Sequence, residues 1–470
     1  MTHTPLLASA LSRTRRGLLV LAASAALLGC ATPPAATGPV AQPPIVFVHG
    51  NGDTAALWTT TLWRWESNGW PRERLHAVHL PYPQARADDT HVQAGRSSVT
   101  EQMQVLAAEV DRVLASTGAD KVVLVGNSRG GNVIRHYIAN GGGAAKVSHA
   151  ILGGTPNHGV WSNPGFQPNS EFNGAGAFLK GLNAPKGPHG DEVTPGVAWM
   201  TLRSDNNDKY AQPDGVWIGA KGTPTNVTFE GPALKGATNV VMPGRDHREV
   251  SYHPDAFARS YQFVTGQAPR VPGPLHITPE AQVTVSGQVS GYTAAGPTNL
   301  PLPGAQLTVW AVDSSTGARV GPALLSQTID EQGRWGPVRT DSRTPLEFEL
   351  SAAGFATTHF YRSPFLRSSS IVHLRPERLS EAERQAGAVV SFTRPRGYFG
   401  VPRDAVLIDG QPAPGIAPGV AGVAVSRSTL TAGTARPVVG EYRSGSLSER
   451  IVGQVWPARD NHLTVLELHE

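Results

Sequence analysis

Cysteine is almost absent from this 470-residue chain, in which Cys30 is the only one. A single thiol cannot form an internal disulfide, and zinc sites built from several cysteines are excluded. The formal net charge of +4 includes Arg13, Arg15 and Arg16, and residues 1–29 hold no acidic residue; without these three charges the net charge is +1. A chain this close to neutrality has no broad basic surface, so we expect no nucleic-acid partner.

The residues around Cys30 have the pattern of an export signal. Basic residues precede a short apolar stretch at 17–29, well below the ~18–20 residues that cross a membrane. The Leu-Leu-Gly before Cys30 resembles a bacterial lipobox, which implies cleavage before Cys30 and lipidation of its thiol. Ala31 resembles the pattern for sorting to the outer membrane. An ordinary secretory signal with an incidental cysteine is the alternative.

This pattern makes residues 1–29 a lipoprotein signal peptide. Residues 30–43 are rich in Pro, Ala and Gly and are typical of a flexible tether. We therefore expect an exported protein that is either held in the cell envelope by a lipid on Cys30, at the outer membrane, or secreted.

Between residues 44 and 268, short apolar runs alternate with helical patterns. Runs of this kind without polar alternation are typical of buried parallel strands. The alternation predicts an α/β domain, a mostly parallel sheet with helices on both faces. The predicted strands are 45–48, 75–80, 121–125, 147–152, 198–203 and 239–242, and the predicted helices are 55–67, one that follows the capping box at Ser98, 132–139 and 254–263.

Residues 275–470 have a different pattern, in which polar and apolar residues alternate. Stretches such as 282–286, 306–310 and 346–350 alternate strictly and are punctuated by turn sequences. This pattern predicts an all-β sandwich or barrel. It can form one unit or two, at 275–385 and 386–470.

The stretch 155–195 is dense in Gly, Pro and Asn, yet it carries Trp161, Phe166, Phe172 and Phe178. Long connections with little regular structure are usually functional or disordered, and aromatic residues argue against disorder. Two interpretations stay open: a lid-like insertion whose aromatics face a ligand, or a packed surface loop.

The strongest chemical signal is Gly126-x-Ser128-x-Gly130 at the end of an apolar strand. A serine there is expected on a tight turn between strand and helix, where the flanking glycines avoid a clash. The start of the following helix supplies unpaired N–H groups. This context favours Ser128 as a nucleophile over a surface serine in a glycine-rich turn.

The sequence His49-Gly50-Asn51 ends the first strand, where this arrangement places a second oxyanion donor. We expect the backbone N–H groups of Asn51 and Arg129 to form the oxyanion hole. His49 precedes the nucleophile, whereas this fold orders its residues as Ser, acid, His. We therefore expect the ring of His49 to be structural.

The general base is then expected after Ser128. His247 follows the strand at 239–242 and precedes a helix, so it lies in a loop at the carboxyl end of a strand, where ligands meet open α/β sheets. We favour His247 as the base, with His253 as the alternative.

The acid is expected between the nucleophile and the base. Two aspartates, Asp205 and Asp208, follow the strand at 198–203. We favour Asp208, whose spacing to Pro213 is similar to that around the acid of many hydrolases, with Asp205 as the alternative. Such an acid orients the imidazole. The resulting chemistry needs no cofactor and no metal.

At this point residues 44–266 resemble bacterial and archaeal lipases and esterases of the α/β-hydrolase family. The likeness is carried by the elbow at 125–131, by Leu-Gly-Gly-Thr-Pro-Asn-His-Gly at 152–159 and by Gly-Arg-Asp-His-Arg-Glu-Val at 244–250. The all-β C-terminal region is similar in arrangement to that of archaeal long-chain lipases. The chain departs from the usual elbow at Asn127, where lipases have His or Tyr, and this departure bears on acyl preference.

The resemblance implies a serine carboxylic ester hydrolase, a lipase or esterase, with an ester or lipid substrate. Hydrolysis of another ester or polyester class is an alternative within enzymes. A second alternative is a cell-envelope binding protein whose β region binds carbohydrate or surface ligands. Its stacking residues would be Trp310, Trp335, Tyr361 and Tyr398, unless these aromatics belong to the β core.

Overall fold

The computed structural model describes residues 42–431 and 435–470. The predicted signal peptide at 1–29 and the lipidation site at Cys30 lie outside the described residues. Of the predicted tether, only residues 42 and 43 are described. No described helix has the length and apolar character needed to cross a membrane.

Six parallel strands form the N-terminal sheet, in the order β2-β1-β3-β4-β5-β6. The strands are β1 Ile45–Val48, β2 Leu75–Val78, β3 Val122–Asn127, β4 Val147–Gly153, β5 Ala198–Ser204 and β6 Thr238–Met242. The α-helices are α1 Thr59–Ser67, α2 Val99–Thr117, α3 Arg129–Asn140, α4 Ala177–Leu182, α5 Glu249–Tyr252 and α6 Pro254–Thr265.

Alternate residues of β1 point to opposite faces of this sheet. Val46 and Val48 pack in one cluster with residues of α2 and α3, whereas Ile45 and Phe47 pack in another with residues of α6. All four side chains are fully buried. Because strand side chains alternate, a continuous apolar run is what a sheet covered on both faces requires. The predicted α/β fold is confirmed.

The predicted strands and helices are present, with small differences at their ends. The capping box is formed as expected: Ser98 Oγ accepts from the Glu101 N–H (3.1 Å) and Glu101 Oε2 accepts from the Ser98 N–H (2.8 Å). Helix α3 begins at Arg129, three residues earlier than the helix predicted at 132–139. The strand-to-helix turn is so tight that the helix begins directly after Ser128.

The C-terminal region is built from β-strands, as predicted. Its elements are β7 Val283–Thr293, β8 Gly296–Pro301, β9 Gln306–Val312, β10 Arg319–Thr328, β11 Arg334–Thr340, β12 Leu346–Ser351, β13 Thr357–Arg362, β14 Ser369–Leu374, α7 Glu381–Arg384, β15 Ala388–Thr393, β16 Ala405–Ile408, β17 Gln411–Pro412, β18 Val425–Leu430, β19 Pro437–Ser444, β20 Leu447–Gln454 and β21 His462–Glu467.

A seven-stranded sheet joins the two halves of this region, in the order β10-β9-β12-β13-β21-β15-β18. Strand β21 pairs with β13 on one side and with β15 on the other. The stretches 275–385 and 386–470 therefore share one sheet instead of forming two separate units. Two four-stranded sheets complete the region.

The β region packs directly on the α/β domain through α1. Trp63 is 1% exposed, belongs to the core cluster of the β region and donates from Nε1 to Ser368 O (3.1 Å). The next residue, Arg64, is fully buried, pairs with Glu470 and donates to Leu275 O (3.0 Å). One helix thus contributes to the cores of both parts of the chain.

Candidate active site

Ser128 stands on a strained turn between β3 and α3. Its φ of 52° and ψ of −122° lie in a backbone region that residues other than glycine rarely adopt. The surroundings hold it there: the Ser128 N–H donates to Gly153 O (2.8 Å), and the Gly131 N–H donates to Ser128 O (3.0 Å). Strain of this kind persists where neighbouring structure over-determines it, and it is frequent at functional sites.

The glycines of this turn are required by close backbone approach. A Cβ on Gly130 would lie 2.4 Å from Val48 O and 2.7 Å from His49 O, and one on Gly126 would lie 2.8 Å from the Gly131 nitrogen. Strand β1 pairs with β3 so that Val48 lies opposite Gly126. The end of β1 is therefore pressed against the start of α3, beside Ser128.

Two further residues meet beyond the ends of β5 and β6. His247 Nδ1 lies 2.9 Å from Asp208 Oδ2, and both side chains are nearly buried. Asp208 Oδ1 accepts from the Tyr210 N–H (2.8 Å), and the Tyr210 ring lies edge-on to the imidazole at 4.6 Å between centroids. His247 Nε2 is buried and has no hydrogen-bond partner among the described residues.

The two alternatives from the sequence have other partners. Asp205 accepts from loop N–H groups, that of Asn207 at Oδ1 (3.1 Å) and that of Gly244 at Oδ2 (2.9 Å). His253 is the N-cap of α6, where its Nδ1 accepts from the Asp255 N–H (3.1 Å). Burial lowers the pKa of His253 to about 3. His253 thus stabilises the start of α6, and Asp205 stabilises its own loop and the loop that follows β6.

His49 is fully buried and hydrogen-bonded on both ring nitrogens. Nε2 accepts from the Leu80 N–H (3.2 Å), and Nδ1 lies 3.0 Å from Gly50 O. Burial lowers its pKa to about 3, so the ring is neutral at physiological pH. The ring braces the loop that follows β1, in agreement with the structural role expected for it.

The expected oxyanion donors flank Ser128. The Arg129 N–H is the first amide of α3, where an amide has no intrahelical acceptor. Asn51 lies in the loop after β1, and its N–H has no backbone acceptor among the described residues. A Cβ on Gly50 would lie 3.1 Å from Ser128 Cβ, which shows how closely this loop approaches the serine.

Asn127 departs from the lipase pattern, and the structure gives its side chain a clear position. It is fully buried, and its Nδ2 donates to Ser251 Oγ (2.7 Å) and to His247 O (3.3 Å). The residue before Ser128 thus ties the elbow to the loop that carries His247. These hydrogen bonds fix the position of the two loops relative to each other.

Ser128 and His247 line the same pocket, here called the catalytic pocket, with a volume of about 240 Å³. Its apolar lining comes from three parts of the chain: Val160, Trp161 and Phe172 from the 155–195 segment, Trp217 and Ile218 from the connection between β5 and β6, and Tyr398 from the β region. The pocket therefore combines the polar atoms of the loops with an aromatic wall.

The 155–195 segment contributes to this wall and to the core. Trp161 and Phe172 line the catalytic pocket, whereas Phe178 packs against the core beside α3. A buried ion pair anchors the segment at the elbow: Arg129 donates to Glu171 from Nε (2.8 Å) and from Nη2 (2.6 Å). The aromatics of this segment are thus divided between the pocket and the core.

The β region reaches the site through Arg394. Its guanidinium is fully buried and donates to Asp246 Oδ2 (3.0 Å) and Glu249 Oε1 (2.6 Å), which flank His247. Burial raises the pKa of Glu249, but the charges of Arg394 and Arg403 outweigh it and lower the pKa to about 2. The loop of His247 is thus held by charges from a segment nearly 150 residues away.

The sequence analysis did not predict that Tyr398 and the cations around it would lie at the catalytic pocket. Tyr398 is 5% exposed and stacks with two cations, Lys209 (3.7 Å from Nζ to the ring centroid) and Arg248 (4.8 Å from Cζ). Arg248 also pairs with Asp53, four residues after His49. No local pattern marks such partners, because each contact joins residues that are far apart in the chain.

The aromatics considered for carbohydrate stacking do not form a shared exposed platform. Trp335 and Tyr361 are 2% and 1% exposed and belong to the β core. Tyr398 lines the catalytic pocket. Trp310 is half-buried and lies against the guanidinium of Arg319 at 4.6 Å.

One cluster among the described residues has the composition of a metal site. Side-chain atoms of Glu347, Glu349 and His359 lie within 4.8 Å of one another. Arg319 donates to both carboxylates, to Glu347 Oε1 and Glu349 Oε2 at 2.7 Å each. An arginine already supplies the positive charge there, so the donor set does not favour a metal ion.

Two family models match the chain. Residues 42–161 match the class 2 lipase family, and residues 281–379 match the lipase C-terminal domain. The first match covers β1, the elbow with Ser128 and the start of the 155–195 segment. The second covers the first half of the β region.

Solved structures of lipases and esterases are also similar to the chain. The mature form of the lipase BlEst2 from Bacillus licheniformis shares 20% identity over 46% of this chain and 89% of that one, with a TM-score of 0.31. Its propeptide form shares 16% identity over 89% and 94%, with a TM-score of 0.34. A Bacillus subtilis carboxylesterase shares 15% over 49% and 86%, with a TM-score of 0.26. The two family matches support a similarity to lipases and esterases that carry a C-terminal domain.

Proposed function

We propose that this chain hydrolyses carboxylic esters through an acyl-enzyme on Ser128, with His247 as the general base and Asp208 as the acid that orients it. One observation carries the proposal. Ser128, strained at the start of a helix, shares a pocket with His247, whose Nδ1 is hydrogen-bonded to the buried Asp208. Nucleophile, base and orienting acid are the parts that acyl transfer needs.

In the acylation step, Ser128 Oγ attacks the ester carbonyl and its proton passes to His247 Nε2. The carbonyl oxygen becomes an oxyanion, which accepts from the N–H groups of Asn51 and Arg129. One such donor is typically worth ~3–4 kcal/mol of barrier. The tetrahedral intermediate then collapses, the C–O bond to the alcohol breaks, and the alcohol leaves with the proton from His247.

In the deacylation step, water replaces the alcohol. His247 takes a proton from the water, the hydroxide adds to the acyl carbonyl, and Ser128 leaves with the proton returned by His247. Asp208 orients the imidazole and stabilises the imidazolium that forms in both steps. The products are a carboxylic acid and the alcohol.

The size of the catalytic pocket favours short acyl groups. Its volume of about 240 Å³ is below the ~300–1,000 Å³ of sites that hold drug-sized ligands. Trp161, Phe172 and Trp217 supply the apolar surface that would contact the acyl chain of the ester. We therefore expect butyryl and hexanoyl esters to be turned over faster than palmitoyl esters.

The test is an assay of the full chain on p-nitrophenyl esters from acetyl to palmitoyl, beside Ser128→Ala. The matched control is Ser116→Ala, an exposed serine on α2. We expect hydrolysis by the wild type and by Ser116→Ala, and loss of at least ~10⁴-fold in kcat for Ser128→Ala. Folded wild-type protein that cleaves none of these esters would contradict the proposal and favour a more specialised ester or a binding role.

For the cell, we propose that a lipid on Cys30 holds the enzyme in the envelope, at the outer membrane. The basic residues, the short apolar stretch and the Leu-Leu-Gly before Cys30 support this. Cys30→Ser should abolish incorporation of labelled palmitate and move the protein from the membrane fraction to the soluble one. Membrane retention of the unlabelled variant would contradict the anchor.

A further inference from the structure

A second cavity lies between the α/β domain and the β region. Its volume is about 400 Å³, and Asp53, Arg248, Arg375, Arg378 and Arg396 are part of its lining. We call it the interdomain cavity. Asp53 and Arg248 line the catalytic pocket as well, so this ion pair stands between the two spaces.

Each carboxylate in the lining of the interdomain cavity already has an arginine partner. Each of the three acids is therefore already engaged in a direct ion pair. The pairs are Asp53 with Arg248, Glu377 with Arg427 (2.5 Å) and Glu467 with Arg362 (2.6 Å).

Three arginines of the lining, Arg375, Arg378 and Arg396, have no such partner. Among the described residues, no carboxylate oxygen lies within 4.0 Å of their guanidinium nitrogens. Residues 1–41 and 432–434 contain no Asp or Glu, so the described part of the chain holds every side-chain carboxylate. The protein itself therefore supplies no direct ion-pair partner for these three guanidinium groups.

Two of these cations are removed from water. Arg396 is only 3% exposed, and its guanidinium donates to the carbonyls of Leu468 (2.9 Å) and Ala56 (3.0 Å). Arg375 Nε is buried without a partner, as is Thr393 Oγ1 in the same lining. Burial lowers the pKa of Arg375, and no carboxylate offsets it. Burial also lowers the pKa of Arg396, where the charges of Glu467, Glu449 and Glu470 offset it only in part.

Buried donors and buried charges in proteins are almost always satisfied. The guanidinium fork matches the two oxygens of a carboxylate or phosphate. Leu57, Phe360 and Val465 give the same cavity an apolar side. The lining thus suits an anionic head with a short apolar tail.

We propose that the interdomain cavity binds a carboxylate anion, the class of product that ester hydrolysis releases, through Arg375 and Arg378, with Arg396 adding positive charge to the lining. The choice of a carboxylate rests on the proposed function, whereas the anion site rests on the arginines. A released acid would lie one ion pair away from the catalytic pocket.

The experiment is calorimetric titration of the full chain carrying Ser128→Ala, which binds without turnover. The probes are octanoate, 1-octanol and inorganic phosphate. We expect octanoate to bind, and Arg375→Gln or Arg378→Gln to raise its Kd at least ~10-fold. Arg378 is exposed, so its variant is not expected to impair folding. Arg339→Gln, an exposed arginine outside the cavity, is the control and should leave the Kd unchanged.

Three results would overturn the proposal. Octanoate binding that does not depend on Arg375 and Arg378 would place the ligand elsewhere. Equal affinity for 1-octanol would show that charge is not recognised. Phosphate binding that depends on the arginines, without octanoate binding, would make this a phosphate site. The titration with Ser128→Ala measures binding alone, and the assay of the wild type measures hydrolysis alone. A wild type that hydrolyses no ester would therefore refute the proposed function without changing the binding result.

Discussion

Arg394 of the β region donates to Asp246, the residue immediately before His247, at 3.0 Å between Nη1 and Oδ2. Both side chains are fully buried. Oδ2 of the same carboxylate also accepts from the Tyr398 N–H (2.8 Å). A segment of the β region therefore contacts the loop that carries His247 at two points. The position of His247 thus depends on the C-terminal region.

Arg394→Met is therefore expected to lower both stability and kcat. Removal of one partner leaves Asp246 and Glu249 with less positive charge in a buried site, which costs about 3–5 kcal/mol. Denaturant unfolding and p-nitrophenyl ester kinetics measure the two effects. The control is Arg450→Met, whose exposed pair with Glu441 at 3.6 Å should contribute no more than ~1 kcal/mol. Equal effects of the two variants would refute the role of Arg394.

Asp208→Asn is expected to lower kcat by about 10⁴-fold with little change in KM, because the amide no longer holds the imidazole in the productive tautomer. Asp205→Asn is the matched control. Asp205 accepts from two loop N–H groups and from the Ser204 hydroxyl and makes no hydrogen bond to His247, so its variant should retain most of the activity. A larger loss in Asp205→Asn than in Asp208→Asn would exchange the two roles.

Gly130→Ala is expected to separate β1 from the elbow. The added methyl group would lie 2.4 Å from Val48 O, a backbone atom that cannot move alone. We expect a loss of about 1–3 kcal/mol in the free energy of unfolding, together with a lower kcat. Gly181→Ala, in α4 with no atom within 4 Å of the new methyl, should be stabilising by up to ~1 kcal/mol. A fully active and stable Gly130→Ala would contradict the close packing.

Tyr398→Ala is expected to enlarge the catalytic pocket, because its ring forms part of the wall. The ratio of kcat/KM for decanoyl esters to kcat/KM for butyryl esters should rise by ~10-fold, which is the lower end of the change that one methylene group makes in an apolar pocket. Tyr82→Ala removes an exposed ring that lies outside this pocket and should leave the ratio unchanged. An unaltered ratio in Tyr398→Ala would show that the acyl chain lies elsewhere.

Asp89→Asn is expected to stabilise the protein at high pH. Burial and the nearby Glu171 raise the pKa of Asp89 from 3.8 to about 6. The folded state then binds the proton more tightly than the unfolded state, so stability is lost as pH rises from about 4 to 6. The melting temperature of Asp89→Asn should exceed that of the wild type at pH 8, and the gain should vanish at pH 4.

The neighbouring Asp88 provides a control of opposite sign. Hydrogen bonds from Thr90 and Asn169 lower the pKa of Asp88, so its ionised form is favoured by folding. Asp88→Asn should therefore lower the melting temperature at pH 8. A gain in both variants would trace the effect to net charge instead of burial.

Local sequence patterns were enough to predict the strands, the helices and the tight turn at Ser128. Apolar runs such as Ile45–Val48 must be covered on both faces, and the Ser98 capping box marks a helix start, because both depend on neighbours within a few residues. The two glycines around Ser128 predict the tight turn for the same local reason. Each of these features is present in the structure.

Only the tertiary structure decided which distant groups meet. The sequence favoured Asp208 by its spacing to Pro213 but left Asp205 open, whereas the folded loop after β5 brings Asp208 within hydrogen-bond distance of His247. Tyr398 and Arg394 reach the site because the β region packs on α1 and joins its two halves in one sheet, contacts between segments more than 100 residues apart. Such contacts depend on how whole surfaces fit together, and no local pattern of residue types encodes that fit.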